Sequence, residues 1–267
     1  MASSREETAS DIFADMKLEM DETKARGKGI LFKTSLEKSL FSSPAACIKS
    51  IDARIRKLEK KYTDAAMKDI AVLKELKSAL ELIQPADFSR YAKLIGLLKS
   101  NEYGWNASQN NDRLVIFTER IETMRYLADN LKKDLGLSDK QLEIMHGGMS
   151  DKELQRIVDE FGRAESTIRV IVASDVASEG INLHYLSHRL IHFDIPWPLM
   201  VFQQRNGRID RYGQHEQHEQ PDIRYMLIDS SNQRIKGDAR IMEILVRKEE
   251  QALKNIGDPA MLFGKIN

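Results

Sequence analysis

The chain has 267 residues, 42% of them hydrophobic, and its 41 Lys plus Arg are matched by 41 Asp plus Glu, so the formal charge is zero. That balance gives no overall field to steer the protein toward nucleic acid or a membrane, and any anion site has to come from local clustering. The single cysteine, Cys47, excludes an intrachain disulfide and a Cys-x-x-Cys metal site, and fits a structural role in a reducing compartment.

Residues 1–43 read as a polar N-terminal extension, partly disordered, with no apolar run long enough for a signal or a membrane span. No later stretch reaches that length, so a soluble, cytoplasmic protein with no membrane partner is expected. Residues 44–111 read as a helical prelude. Pro44 opens it where a missing donor is tolerated, and Ile48, Ile51, Ile55, Leu58 and Tyr62 recur at spacings of three and four along one face. Ile70, Leu73, Leu76, Leu80 and Ile83 repeat the pattern until Pro85 stops it. The opposite face carries Lys49, Arg54, Arg56, Lys57, Lys60 and Lys61, which reads either as a solvated face or as a nucleic-acid arm. A polar stretch with four asparagines, residues 101–112, then marks a linker or domain edge.

From residue 112 to about 230 the regime changes. Short runs rich in β-branched residues recur at Leu114–Phe117, Leu142–Met145, Ile168–Ala173, Leu190–Phe193 and Ile223–Ile228. Amphipathic segments lie between them, at Glu122–Lys133 and Lys152–Phe161, so the predicted fold is α/β, a parallel sheet with helices on both faces. Residues 231–267 read as a closing brace helix and tail, with Ile235, Ile241, Ile244 and Leu245 on one face.

In such a sheet function collects in the loops that follow the strands. Thr118-Glu119-Arg120, His146-Gly147-Gly148-Met149-Ser150 and the stretch from Ser174-Asp175 to Asn182-Leu183 are polar, small-residue loops running into helices. Backbone N–H groups and hydroxyls at such places grip phosphates without reading sequence, which suits Thr118, Ser150 and Ser174. Ser150, three residues before Glu153, is equally well explained as half of a capping box. The stretch QQRNGRIDRYGQ, residues 203–214, is more pointed: on a helix Gln204, Arg208 and Arg211 project from one side, with Gly207 allowing close approach. Two guanidinium forks suit a triphosphate, where charge develops during phosphoryl transfer.

The order Val115-Ile116-Phe117-Thr118, His146-Gly147-Gly148, Ser174-Asp175 through Asn182-Leu183 and Gln204-Arg205-Asn206-Gly207-Arg208-Ile209-Asp210-Arg211 resembles motifs IV, IVa, V and VI of superfamily-two helicases. Arg-Tyr-Gly-Gln at 211–214 narrows the likeness to the Swi/Snf-like branch, and it is most similar to the bacterial RNA-polymerase-associated remodelling ATPases and their phage-defence relatives. It covers roughly 112–255, with a weaker likeness at Ser42-Ser43-Pro44-Ala45. The resemblance implies a RecA-like C-terminal lobe. It implies that Arg208 and Arg211 are arginine fingers, that Gln204 supports the γ-phosphate network, and that Asp175, Glu179 and Gly180 face the cleft. Thr118, Gly147, Ser174 and Asn182 would lie along the phosphates of the tracked strand. It implies ATP with Mg2+ as cofactor, double-stranded DNA as partner together with RNA polymerase or a defence-complex subunit, and translocation without strand separation. The pattern departs at Glu153-Leu154, where the family has an arginine soon after Met-Ser, so Arg156 takes no role. It departs again at Trp197-Pro198-Leu199, where Trp197 reads as a packing residue.

No Gly-x-x-x-x-Gly-Lys-Ser/Thr cradle is present: Gly27-Lys28 is followed by Gly29 and Gly264-Lys265 by Ile266, and Asp159-Glu160 falls inside a predicted helix. The chain therefore reads as the second lobe of a two-lobed ATPase, cut from a longer protein or completed by a partner, and alone it is expected not to hydrolyse ATP. Two rivals stand beside this reading. A metal hydrolase is suggested by His215-Glu216-Gln217-His218-Glu219 with His184 and His188, although the His-Glu-x-x-His spacing is not met. The other is a non-catalytic module that docks on DNA or a polymerase, against which both arginines argue.

Overall fold

The computed structural model describes residues 1–19, 28–175, 183, 186–195, 199–209, 220–228, 231–232, 238, 242–243 and 247. Helices α1 (Ser4–Asp15), α2 (Lys28–Ser42), α3 (Pro44–Leu58), α4 (Asp64–Glu81) and α5 (Ser89–Leu98) come first. They are followed by β1 (Leu114–Phe117), α6 (Ile121–Leu135), β2 (Leu142–Met145), α7 (Asp151–Phe161), β3 (Val170–Ala173), β4 (Arg189–His192), α8 (Leu199–Asn206) and β5 (Asp222–Tyr225). The strands form one parallel sheet in the order β2-β3-β1-β4-β5, with Phe117 level with Ala173 and His192.

Side chains alternate across the strands, so one sequence pattern builds two cores. Leu114 and Ile116, Val170 and Val172, and Ile191 point to one face, where they meet Met124, Leu127 and Leu131 of α6 and the apolar residues of the helical prelude. Val115 and Phe117, Ile171 and Ala173, and Leu190 point to the other, beneath Ile157 and Phe161 of α7. Burial on both sides explains why these strands read as unbroken apolar runs. The β-run expectations land within two residues of the observed starts. Gly136, in the left-handed conformation at φ 66°, ends α6 with its N–H on the Lys132 carbonyl.

The N-terminal region differs from the expectation of a polar, partly disordered extension. Its described residues form α1 and α2, and Ala9, Phe13, Met16, Leu18, Leu36 and Phe41 are buried in the same core as the prelude. The physical reason lies in Glu6. Its carboxylate closes the capping box with Ser3 and also accepts from the Ser89 backbone N–H at 3.2 Å, so α1 is tied to the start of α5 by a residue whose polarity suggested solvent. In the prelude, Ile51, Ile55, Leu58, Leu73, Leu76 and Leu80 are buried as their spacing predicts, and Cys47 is fully buried, with burial pushing its thiol well up. Tyr62 breaks the pattern: it is 93% exposed in the turn between α3 and α4, at φ 47°. That conformation costs a residue with a Cβ roughly 1–2 kcal/mol.

Three buried arginines stitch the amino-terminal edge of the sheet. Arg113 donates to the carbonyls of Asn110, Glu160, Phe161 and Arg163, covering the end of α7. Arg169 reaches the Ala107 carbonyl, and Arg189 reaches Asp112 at 2.7 Å and the Tyr103 carbonyl at 2.5 Å. The polar 101–112 stretch is thereby an anchored edge: Tyr103 and Trp105 are buried, and the Trp105 indole donates to the Asp112 carbonyl. Among the described residues no helix is long and apolar enough to cross a membrane. Of the predicted closing helix and tail, 231–267, only residues 231–232, 238, 242–243 and 247 are described. Asp238 is buried and paired with Arg90 of α5.

Candidate nucleotide and nucleic-acid edge

The opposite, carboxyl edge of the sheet gathers the ends of β1, β2, β3 and β4, and the loops that follow them carry the polar residues singled out by the sequence. Its centre is Arg205, on α8 and 1% exposed. The guanidinium holds Asp175 through two bonds, Nε to Oδ1 at 2.5 Å and Nη2 to Oδ2 at 3.0 Å, in the fork geometry of arginine and carboxylate. Nη1 donates to the Asp194 carbonyl at 3.2 Å, and the group lies over the Phe117 ring.

Asp194 follows β4 and is also buried. Its carboxylate accepts from Thr118 Oγ1 at 2.6 Å, from Ser42 Oγ at 2.7 Å and from the Glu119 N–H at 3.0 Å, and Arg205 lies 3.9 Å away. Thr123 bonds both Ser42, at 2.8 Å, and Ser43, at 2.7 Å. The junction of α2 and α3 is thus wired to the ends of β1 and β4. A buried carboxylate without such donors would cost several kcal/mol, so the hydroxyls are drawn inward to it.

The Thr118 hydroxyl is fully buried and donates to Asp194. Asp175 has its carboxylate gripped by Arg205, with the side chain 29% exposed. Ser174 sits at the end of β3, mostly buried, with its N–H on the Met145 carbonyl, while Gly147 lies exposed in the turn after β2. Ser150 caps α7: it accepts from the Glu153 N–H, and the Glu153 carboxylate accepts from the Ser150 N–H at 2.9 Å, which is the capping-box alternative. Arg156, given no role, pairs with Glu143 and Glu160.

Gln204 is exposed on α8. The helix stops at Asn206, ahead of Gly207, a poor helix former, and 207–209 continue as a tighter turn in which the Arg208 and Ile209 N–H groups reach back three residues. Arg208 is therefore carried by that turn, half-buried, rather than by the helix expected from spacing. Its carbonyl accepts from the Leu183 N–H at 3.1 Å, which joins this turn to the segment after β3. Arg211, Glu179, Gly180, Asn182, Trp197, His184 and residues 215–219 lie outside the described residues.

His192, which the sequence did not single out, ends β4 between these parts. Its ring stacks on Tyr225 at 4.6 Å, Nε2 meets Asn206 Oδ1 at 2.8 Å, and Nδ1 lies 3.4 Å from Arg205 Nη1. That network assigns the proton to Nε2. Burial first, and the Arg205 charge second, push its pKa down to about 3. The folded ring stays neutral while the unfolded one takes a proton below about 6.5. Stability present above pH 6.5 is lost as pH falls toward 3, with a slope approaching about 1.36 kcal/mol per unit for one proton. Urea midpoints at pH 7, 6 and 5 are expected to fall in the parent and to change less in His192→Gln; parallel profiles would contradict this placement.

A parallel sheet covered on both faces, with an arginine-bearing turn and small-residue loops on its carboxyl edge, defines a RecA-like lobe. Residues 89–213 match the helicase conserved C-terminal domain. RNA polymerase-associated protein RapA of Vibrio vulnificus (strain YJ016) is 29% identical over 107 residues, covering 40% of this chain and 11% of that protein. The uncharacterized ATP-dependent helicase YqhH of Bacillus subtilis (strain 168) is 36% identical over 104 residues, 39% of this chain and 17% of that protein. The chain thus spans less than a fifth of the length of these curated relatives. Among solved structures, the C-terminal part of the Fun30 ATPase domain superposes with TM-score 0.54 at 14% identity, over 91% of this chain and 86% of that one, and shows the shared fold. Residues 89–213 are thus similar to a helicase conserved C-terminal domain, on a RecA-like fold shared with the C-terminal part of the Fun30 ATPase domain.

Proposed function

We propose that this chain is the second motor lobe of an ATP-dependent DNA translocase. Arg208 and Arg211 would reach the γ-phosphate of ATP held, with Mg2+, mainly by a separate N-terminal lobe. The observation that carries the reading is the buried Arg205–Asp175 fork directly behind Arg208. It fixes the turn bearing Arg208 against the end of β3, which is the rigidity a transition-state contact needs.

The groups present fit that share of the task. A half-buried guanidinium at 208 and an exposed carboxamide at Gln204 suit phosphate oxygens. Bound ATP supplies the phosphoryl group and its free energy. This chain's residues position cations at it and offer the Gly147 turn, Ser174 and Asn182 to the phosphates of the tracked strand. Thr118 and Asp175 act from behind, as supports of Asp194 and Arg205. RNA polymerase is a partner by analogy with RNA polymerase-associated protein RapA, and duplex DNA is the track that the Swi/Snf-like motif resemblance implies.

Assaying ATP hydrolysis of the chain alone, and joined to a lobe with a phosphate cradle, with and without duplex DNA, tests the proposal. Hydrolysis stimulated by duplex is expected only in the joined protein. A joined protein that binds duplex but shows no stimulated hydrolysis favours the docking-module reading instead.

A further inference from the structure

The turn between α3 and α4 lies outside this site, and folding does not account for its composition. Arg56, Lys57, Lys60 and Lys61 are all exposed there, against two exposed carboxylates, Glu59 and Asp64. Arg54, on the same helix, is instead half-buried and packed over the Phe32 ring. Cations in a last helical turn are favoured by the helix dipole, which accounts for Arg56 and Lys57. The dipole gives no reason for a tyrosine directly after them. Tyr62 buries almost nothing, at 93% exposed, and holds a left-handed backbone that glycine adopts freely. A side chain that adds strain without burial finds its use in contact with something else.

An exposed aromatic ring directly following a run of exposed cations is the chemistry that takes an unpaired nucleic-acid strand, because every base has a face to stack and every phosphate a charge to neutralise. We propose that Arg56, Lys57, Lys60 and Tyr62 form an auxiliary contact for single-stranded nucleic acid, phosphates on the cations and one base on the tyrosine ring. The proposal rests on the reading that this lobe works on nucleic acid. It adds a second contact at the far end of α3, about 22 Å along a 15-residue helix from the Ser43 cap at the carboxyl edge.

The test is fluorescence anisotropy of the whole chain with a labelled oligo-dT strand and a labelled duplex, each titrated with salt. Tyr62→Gly is expected to weaken oligo-dT binding about tenfold, to change duplex binding less than about twofold, and to melt at or above the parent temperature because it relieves strain. Arg56→Gln/Lys57→Gln/Lys60→Gln is expected to reduce the oligo-dT salt slope by about two, at roughly 0.7 per phosphate. Parent-like oligo-dT affinity in Tyr62→Gly, an unchanged salt slope in the triple variant, or no oligo-dT binding by the parent chain would each overturn the proposal. None of these outcomes bears on duplex-stimulated hydrolysis by the joined protein, so the two readings fail separately.

Discussion

In the proposed two-lobed protein, Arg208→Ala and Arg211→Ala are each expected to lower ATP turnover by about 10³-fold or more, with duplex affinity changing less than about threefold. The size follows from what an arginine finger does. It neutralises charge that appears on the transferring phosphoryl group, and removing such a group costs roughly 10³–10⁵ in rate, about 4–7 kcal/mol at 1.36 kcal/mol per decade. Lysine at 208 is not expected to restore turnover, because a point charge cannot offer the two-pronged donor. Steady-state hydrolysis at saturating duplex, with affinity measured in parallel, checks both halves; turnover at the parent rate in both variants would remove the finger assignment. The proposal gives Arg208 this role although spacing placed it on a helix. The turn after Asn206 carries it instead, and its carbonyl bond to Leu183 ties that turn to the segment following β3.

The second large effect is on stability. Arg205→Ala removes the two-pronged Arg205 grip on Asp175 and the donor to the Asp194 carbonyl from a site where Arg205 itself is 1% exposed. Breaking a buried ion pair from one side costs about 3–5 kcal/mol. The Asp175 side chain keeps 29% exposure and is partly hydrated after the loss, so the lower end applies, about 3 kcal/mol. For a chain of this size that is a fall of roughly 6–12 °C in melting temperature. Arg205→Lys recovers less than half, since one ammonium cannot span both Asp175 oxygens and the Asp194 carbonyl. A melting temperature within about 2 °C of the parent in Arg205→Ala would show that the fork contributes little to the fold.

Much of the architecture was legible because its signals are local. Leu114–Phe117 and Leu142–Met145 are strands in the positions their apolar runs indicate, and α6 and α7 follow from apolar residues at spacings of three and four. The Ser150–Glu153 capping box is likewise written within four residues. Asp194 and His192 were missed for the opposite reason. The Ser42 hydroxyl that satisfies Asp194 lies 152 positions away, and Thr118 lies 76 away, so no periodicity connects them. The available clue was a charged residue directly after the apolar run of β4, a place where a lone carboxylate needs donors. The N-terminal helices were obscured by their own composition. The buried face of α1 is Glu6, Ala9, Ser10 and Phe13, and two of those four are polar, so the three-and-four spacing carries little hydrophobic contrast. Arg205 is masked by its neighbours: in Gln204-Arg205-Asn206-Gly207-Arg208 the residues with phosphate-binding spacing are Gln204 and Arg208, whereas the buried fork is the arginine between them.

The most direct test of the motor reading is equilibrium binding of ADP and of ADP–aluminium fluoride, a mimic of the transferring phosphoryl group, to the two-lobed protein and to its Arg208→Ala and Arg211→Ala variants. Groups that act only on the transition state discriminate between these two ligands. The account predicts that the variants bind ADP within about threefold of the parent and the fluoride complex at least about 100-fold more weakly. Equal binding of the fluoride complex by parent and variants, or an equal loss for both ligands, would contradict it.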